Sequence, residues 1–204
     1  MNTPRSIGRA VVPLAALLVL HSPGRAASNE PTSRDAALAL ARTAASELSA
    51  EIRSLLMQEL DRGGIEEAVR VCARAAQERT VEFRSRTGHD IRRVSLRHRN
   101  PANAPDDLER RALESFDRLP RSQVAGAEHV ELVEGPDGTT LRYLKPVVTA
   151  PLCLQCHGQA TEIAPAVRKI LGEKYPGDRA IGFAVGDVRG AITVRVPVAA
   201  APAH

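Results

Sequence analysis

The sequence predicts an α+β domain built on an antiparallel sheet, and three observations carry that prediction. Helical periodicity runs through residues 32–80, short alternating runs bounded by turn residues fill much of the remainder, and strands and helices nowhere alternate as a parallel sheet requires. Residues 33–198 suffice for one domain with its own core, and no composition shift, internal repeat or long low-complexity tract marks a second.

The elements follow in order. Ala37, Leu40, Ala41, Ala44, Leu48, Ile52, Leu55, Leu56 and Leu60 recur at helical spacing, predicting a long amphipathic helix from Thr32 to about Asp61 that stops at Gly63-Gly64. A second helix follows in "GIEEAVRVCARAAQERT". Its apolar stripe, Ile65, Ala68, Val69, Cys72 and Ala76, turns Cys72 inward and leaves Glu66, Arg70, Arg74 and Glu78 towards water. After a turn at Gly88 comes an extended run near Ile91 to Leu96, then irregular chain through Asn100-Pro101 and Ala104-Pro105. Asp106 with Glu109 forms a capping box opening a third helix to about Asp117. "AEHVELVE" and "TTLRYLKPVVT" flank Gly135-Pro136-Asp137-Gly138, a hairpin with a longer loop. "TEIAPAVRKILGEKYPGD" reads as a short helix, "AIGFAVGD" and "GAITVRVPV" as a closing pair of antiparallel strands, and residues 199–204 as a loose tail.

The N-terminus has the three-part layout of a secretory leader: Arg5 and Arg9, an uncharged run from Ala10 to Leu20, then small residues near Gly24, Ala26 and Ala27. Residues 1–26 are read as a signal peptide, and the protein is expected in the periplasm. The apolar run is shorter than the roughly 18 residues a membrane span needs. Without Arg5, Arg9 and Arg25 the net charge falls from +4 to about +1, which argues against a nucleic-acid or anionic-membrane partner. Aromatic residues make up only 2% of the chain and Trp is absent. Either a large planar cofactor or an Ala/Leu/Val-rich helical core accounts for that.

The chemistry concentrates in "PLCLQCHG", residues 151–158. Attachment of c-type haem needs two thiols, each adding to one vinyl group, with a histidine beside the second to serve the iron from below. Cys153, Cys156 and His157 meet that requirement, and the leader supplies the compartment. A thioredoxin-like redox disulfide normally opens a helix within a strand-helix-strand unit, whereas this motif follows a hairpin. A Cys₃His zinc site made with Cys72 has the right ligand count, but adjacent Cys156 and His157 strain a tetrahedron.

The second axial position of such a haem decides its chemistry. Met57, Cys72, His89, His98 and His129 are the candidates. Met57 has apolar neighbours suited to packing, His89 and His98 look solvated, and His129 lies on a strand. Cys72 combines an inward position with a soft donor, although burial as an inert small hydrophobe accounts for it equally well. Arg97, Arg99, Arg142 and Lys145 are candidate partners of the haem propionates, with structural or solvated charge as the competing reading. Asn100 and Asn103, between prolines, fix a turn.

Three blocks, "RNPANAPDD" (99–107), "LRYLKPVVTAPLCLQCHG" (141–158) and "YPGDRAIGFAVGDVRGAITVRVPV" (175–198), occur in that order. Through them the chain, from about Ser33 to Val198, resembles a bacterial single-haem c-type cytochrome family, long known as a domain of unknown function, with a cyanobacterial prototype. The resemblance implies a PAS-like fold with a long N-terminal helix, one covalently attached haem c, and iron held between His157 and a helical cysteine, here Cys72. Relatives often carry kinase, chemoreceptor or cyclase output domains; for this chain the expectation is a separate, unidentified redox or signalling partner. Ligand exchange at Cys72 makes a redox or gas sensor the leading expectation. A soluble periplasmic electron carrier is the alternative, and weak haem-dependent peroxidase chemistry a third.

Overall fold

The structure is a computed structural model and describes residues 33–199. The expected leader, and all but the first residue of the expected tail, lie outside the described residues. The architecture is α+β, as the sequence predicts. A four-stranded antiparallel sheet has the order β1-β4-β3-β2, made of β1 (Asp90–Val94), β2 (His129–Gly135), β3 (Gly138–Val148) and β4 (Val188–Val198).

The long helix α1 (Arg34–Thr87) is two arms broken at Gly63-Gly64, where the predicted stop falls. Gly64 has φ 69°, a left-handed conformation that glycine adopts without penalty. Ser33 caps the start, its Oγ accepting from the Ala36 amide, and Gly88 closes the end. Ala37, Ala41, Ala44, Ala45 and Leu48 of the first arm and Phe83 of the second pack on Ile91, Leu141, Tyr143, Ile192, Val194 and Val196 of one sheet face. Small alanines bring the helix close to the sheet, while each large side chain buried there contributes about 1.5–3 kcal/mol.

Strand alternation sends the neighbouring residues to the other face. There Val94, Leu144 and Ala191 meet Leu108, Ala112, Leu113 and Phe116 of α2 (Asp107–Asp117). The predicted capping box is present: Asp106 accepts from the Glu109 amide at 2.8 Å, and Glu109 accepts from the Asp106 amide at 2.9 Å. Two short helices, α3 (Arg121–Val124) and α4 (Leu154–His157), and the longer α5 (Pro165–Lys174) complete the fold.

Two local expectations change. The hairpin turn is tighter than expected, because Gly135 and Gly138 pair directly around Pro136-Asp137. "AIGFAVGD" is not a strand; β4 alone occupies the inner sheet position, pairing with both β1 and β3. The backbone groups of that segment are used elsewhere, as described next.

Candidate functional site

The site lies at the end of the sheet where β1 and β3 leave and β4 enters. At this end the β3–β4 register shifts at Val147/Val148. Close approach of the strands also requires Gly190, since a Cβ there would stand 2.4 Å from the Val94 carbonyl oxygen.

Beyond β3 the chain tightens into a 3₁₀ turn, Pro151–Cys153, and then directly into α4. These consecutive turns present Cys153, Cys156 and His157 from one compact segment. Neither cysteine is in a disulfide, and both are half-buried. The Ala150 amide donates to Cys153 Sγ at 3.3 Å. Cys156 packs beside Val69 of the second α1 arm and Val167, Ile170 and Leu171 of α5.

The segment misread as a strand clasps this turn. Phe183 N donates to His157 O at 2.9 Å and Gly182 N to Gly158 O at 2.7 Å. Most important, His157 Nδ1 lies 2.7 Å from the Ala180 carbonyl oxygen. A carbonyl only accepts, so Nδ1 carries the proton and Nε2 keeps its lone pair. Burial, then the nearby Arg189 and Arg99 charges, hold the His157 pKa well below its ordinary value, outweighing the opposite pull of the Ala180 carbonyl. The imidazole is therefore neutral at physiological pH, in the tautomer a metal ligand needs.

A chain of bonds fixes that acceptor. The Ala180 amide donates to Asp178 Oδ1 at 2.8 Å, Arg99 Nε donates to Asp178 Oδ2 at 2.9 Å, and Arg99 Nη2 returns to the Cys156 carbonyl at 2.7 Å. Both side chains of the pair are 13% exposed. Phe183 meets the His157 ring edge-on, with centroids 6.1 Å apart, and the Arg97 guanidinium lies 3.6 Å from the Phe183 centroid while donating to the Ile181 and Gly182 carbonyls.

The predicted residues thus divide. Cys153, Cys156 and His157 come together. Cys72 lies in the second arm of α1, in register with buried Val69 and Ala76, but its side chain lies outside the described residues. Among the other axial candidates, Met57 is 44% exposed on the first arm. His89 is half-buried at the far end of β1, and His129 contacts Glu131 at 3.1 Å. His98 is half-buried, not solvated, with Nδ1 buried and lacking a hydrogen-bond partner among the described residues. Asn100 fixes a turn, accepting from the Ala102 amide.

The expected propionate partners all have protein acceptors: Arg97 and Arg99 as above, Arg142 with Asp106 and Glu109, and Lys145 with the Ala125 and Ala127 carbonyls. One arginine escaped the sequence reading. Arg189, at the start of β4, is half-buried with its Nε fully enclosed; burial and the neighbouring Arg99 and Arg93 charges pull its pKa down to about 10 against the opposing pull of Asp178 and Cys153. The signal available in the sequence was an arginine directly before Gly190 at the start of a largely apolar inner strand.

Residues 26–197 match the sequence profile of the family described as Tll0287-like. The chain belongs to the Tll0287-like family. The crystal structure of the cyanobacterial heme-protein Tll0287 is similar with a TM-score of 0.58 and 29% sequence identity, over 76% of this chain and 91% of that one. No curated protein matches the chain significantly. The Tll0287-like assignment agrees with the single-haem cytochrome family inferred from the three sequence blocks, and the long helix on a four-stranded antiparallel sheet is its PAS-like fold. Among the described residues no helix is long and apolar enough to cross a membrane.

Proposed function

We propose that this protein is a periplasmic, single-haem c-type protein that senses redox state or a diatomic gas through exchange of an axial ligand supplied by Cys72. The observation that carries the reading is the state of His157: half-buried, neutral, its Nδ1–H held by Ala180 and its Nε2 lone pair available beside two cysteines that form no disulfide. The family and its haem-binding cyanobacterial member support the same cofactor. The donor set fits haem c chemically. Each thiol adds across one vinyl group, its sulfur bonding one carbon and its proton going to the other, and His157 Nε2 serves the iron.

When bound, the haem supplies an iron centre that changes oxidation state and takes up small gases. The protein's own residues do the rest. The Arg99–Asp178–Ala180 chain keeps the imidazole oriented. A Cys72 thiolate holding the iron together with His157 would donate charge, favour the ferric state and lower the reduction potential relative to a Met/His pair. Protonation of Cys72 on reduction would release it and free the second arm of α1 to move on the sheet and on α5. A partner protein reads that movement.

The test is the absorption spectrum of the purified holoprotein, oxidised and reduced, beside Cys72→Ala. Thiolate-specific ferric bands should vanish in the variant while covalent haem remains. Coincident spectra overturn the role of Cys72, and a colourless wild-type protein containing zinc or a disulfide overturns the cofactor. A second reading, electron transfer, is favoured by Ile181 and Val185, 39% and 47% exposed on the loop that clasps His157, where a redox partner would dock. A reversible potential without ligand change selects that reading.

A further inference from the structure

Arg189 is a half-buried cation with one enclosed donor, Nε, that the described residues leave open. Nη1 donates to Ser95 Oγ at 3.2 Å, and the guanidinium lies 5.3 Å from the Phe183 centroid. Nε is buried with no acceptor among the described residues. The carboxylate within its electrostatic reach, Asp178, already accepts from Arg99 and from the Ala180 amide. A buried guanidinium donor without an acceptor is costly, and native proteins keep such groups where a ligand completes them.

We propose that Arg189 is a carboxylate-binding residue and that its ligand is a propionate of the bound haem. This inference rests on the haem reading. Haem brings two carboxylates, and a planar guanidinium with an open donor suits a carboxylate better than any neutral ligand. The four cations that the sequence offers for this task all have protein acceptors; Arg142 Nε is also buried without a partner among the described residues, but it belongs to the α2 face, whereas Arg189 lies within electrostatic reach of Cys153 of the motif. The groups facing it are Arg93 from β1, Arg99 and Asp178 from the flanking loops, and Cys153. Their balance is positive, so a carboxylate held there stays ionised through the neutral range.

The test compares wild-type holoprotein with Arg189→Gln and Arg189→Lys by potentiometric titration from pH 5 to 9. The wild-type midpoint should fall with rising pH only as far as proton uptake by Cys72 on reduction requires. Loss of the cation should lower the midpoint and make it fall further with rising pH, because the released propionate now titrates in this range; lysine should give intermediate behaviour. An Arg189→Gln holoprotein with the midpoint and the pH profile of wild type overturns the inference and leaves the haem reading intact. Should Arg189→Gln fail to fold, the wild-type protein decides alone through its propionate bending vibration. A band constant from pH 5 to 9 supports the carboxylate contact, whereas one that titrates as a solvated carboxylate overturns it. A wild-type protein without haem overturns both proposals.

Discussion

Two groups of arginines, one on the α2 face of the sheet and one at its end, are neutralised differently. On the α2 face, Arg92, Arg142 and Arg195 meet Asp106 and Glu109, with Glu109 fully buried between Arg92 and Arg142. At the haem-motif end, Arg99 has Asp178, Arg97 has carbonyls and an aromatic face, and Arg189 has a serine and no carboxylate of its own. In the first group every arginine has a carboxylate, although Arg142 Nε is buried without a partner among the described residues, and its work is structural. The second is incomplete, which is the state expected of a site that a charged ligand finishes.

The contrast can be tested, beginning with its largest expected effect. Glu109→Ala strips the acceptor from two arginines at once and should cost about 5 kcal/mol, the upper end for breaking a buried pair, as read from denaturant unfolding. It should leave the axial ligation spectrum unchanged in whatever fraction folds. A loss below about 1 kcal/mol would mean that the α2 face does not depend on charge pairing. Arg99→Ala should cost about 3 kcal/mol by the same mechanism. Unlike Glu109→Ala, it should also alter the ferric spectrum, because Ala180 loses the brace that orients His157. An unchanged spectrum would show that the Ala180 contact stands without Arg99.

The smallest effect is a pH dependence. Burial disfavours Asp106 ionisation, but the Glu109 amide and the Arg142 and Arg195 charges outweigh it and hold its pKa below the ordinary carboxyl value. A depressed carboxyl contributes stability that is present above its unfolded pKa, about 3.9, and is lost as pH falls through the lower folded value. Asp106→Asn should therefore flatten the acid side of the stability profile. A profile as steep as wild type assigns acid sensitivity to another group.

Much of the fold was legible because its signals are local. The Gly63-Gly64 break, the Asp106/Glu109 capping box and the β2–β3 hairpin each follow from residues within a few positions of one another. "AIGFAVGD" was misread for the same reason: its apolar alternation satisfies a strand's period, yet its amides go to His157 and Gly158 and its carbonyls to Arg97, partners no local pattern reveals. Arg97 and Arg99 likewise looked free in sequence because their partners lie about 80 residues away.

By itself the sequence determined which residues carry the proposed attachment chemistry, since the spacing of Cys153, Cys156 and His157 is a covalent property of near neighbours in the chain. It also determined the helical register of Cys72 and the strand order of the hairpin. Only the tertiary structure decided which nitrogen of His157 carries the proton, which cations are already paired, and that Arg189 is left open. Those are questions of where hydrogen-bond donors end when distant segments meet, and burial, which makes each unpaired donor expensive, exists only once they have met.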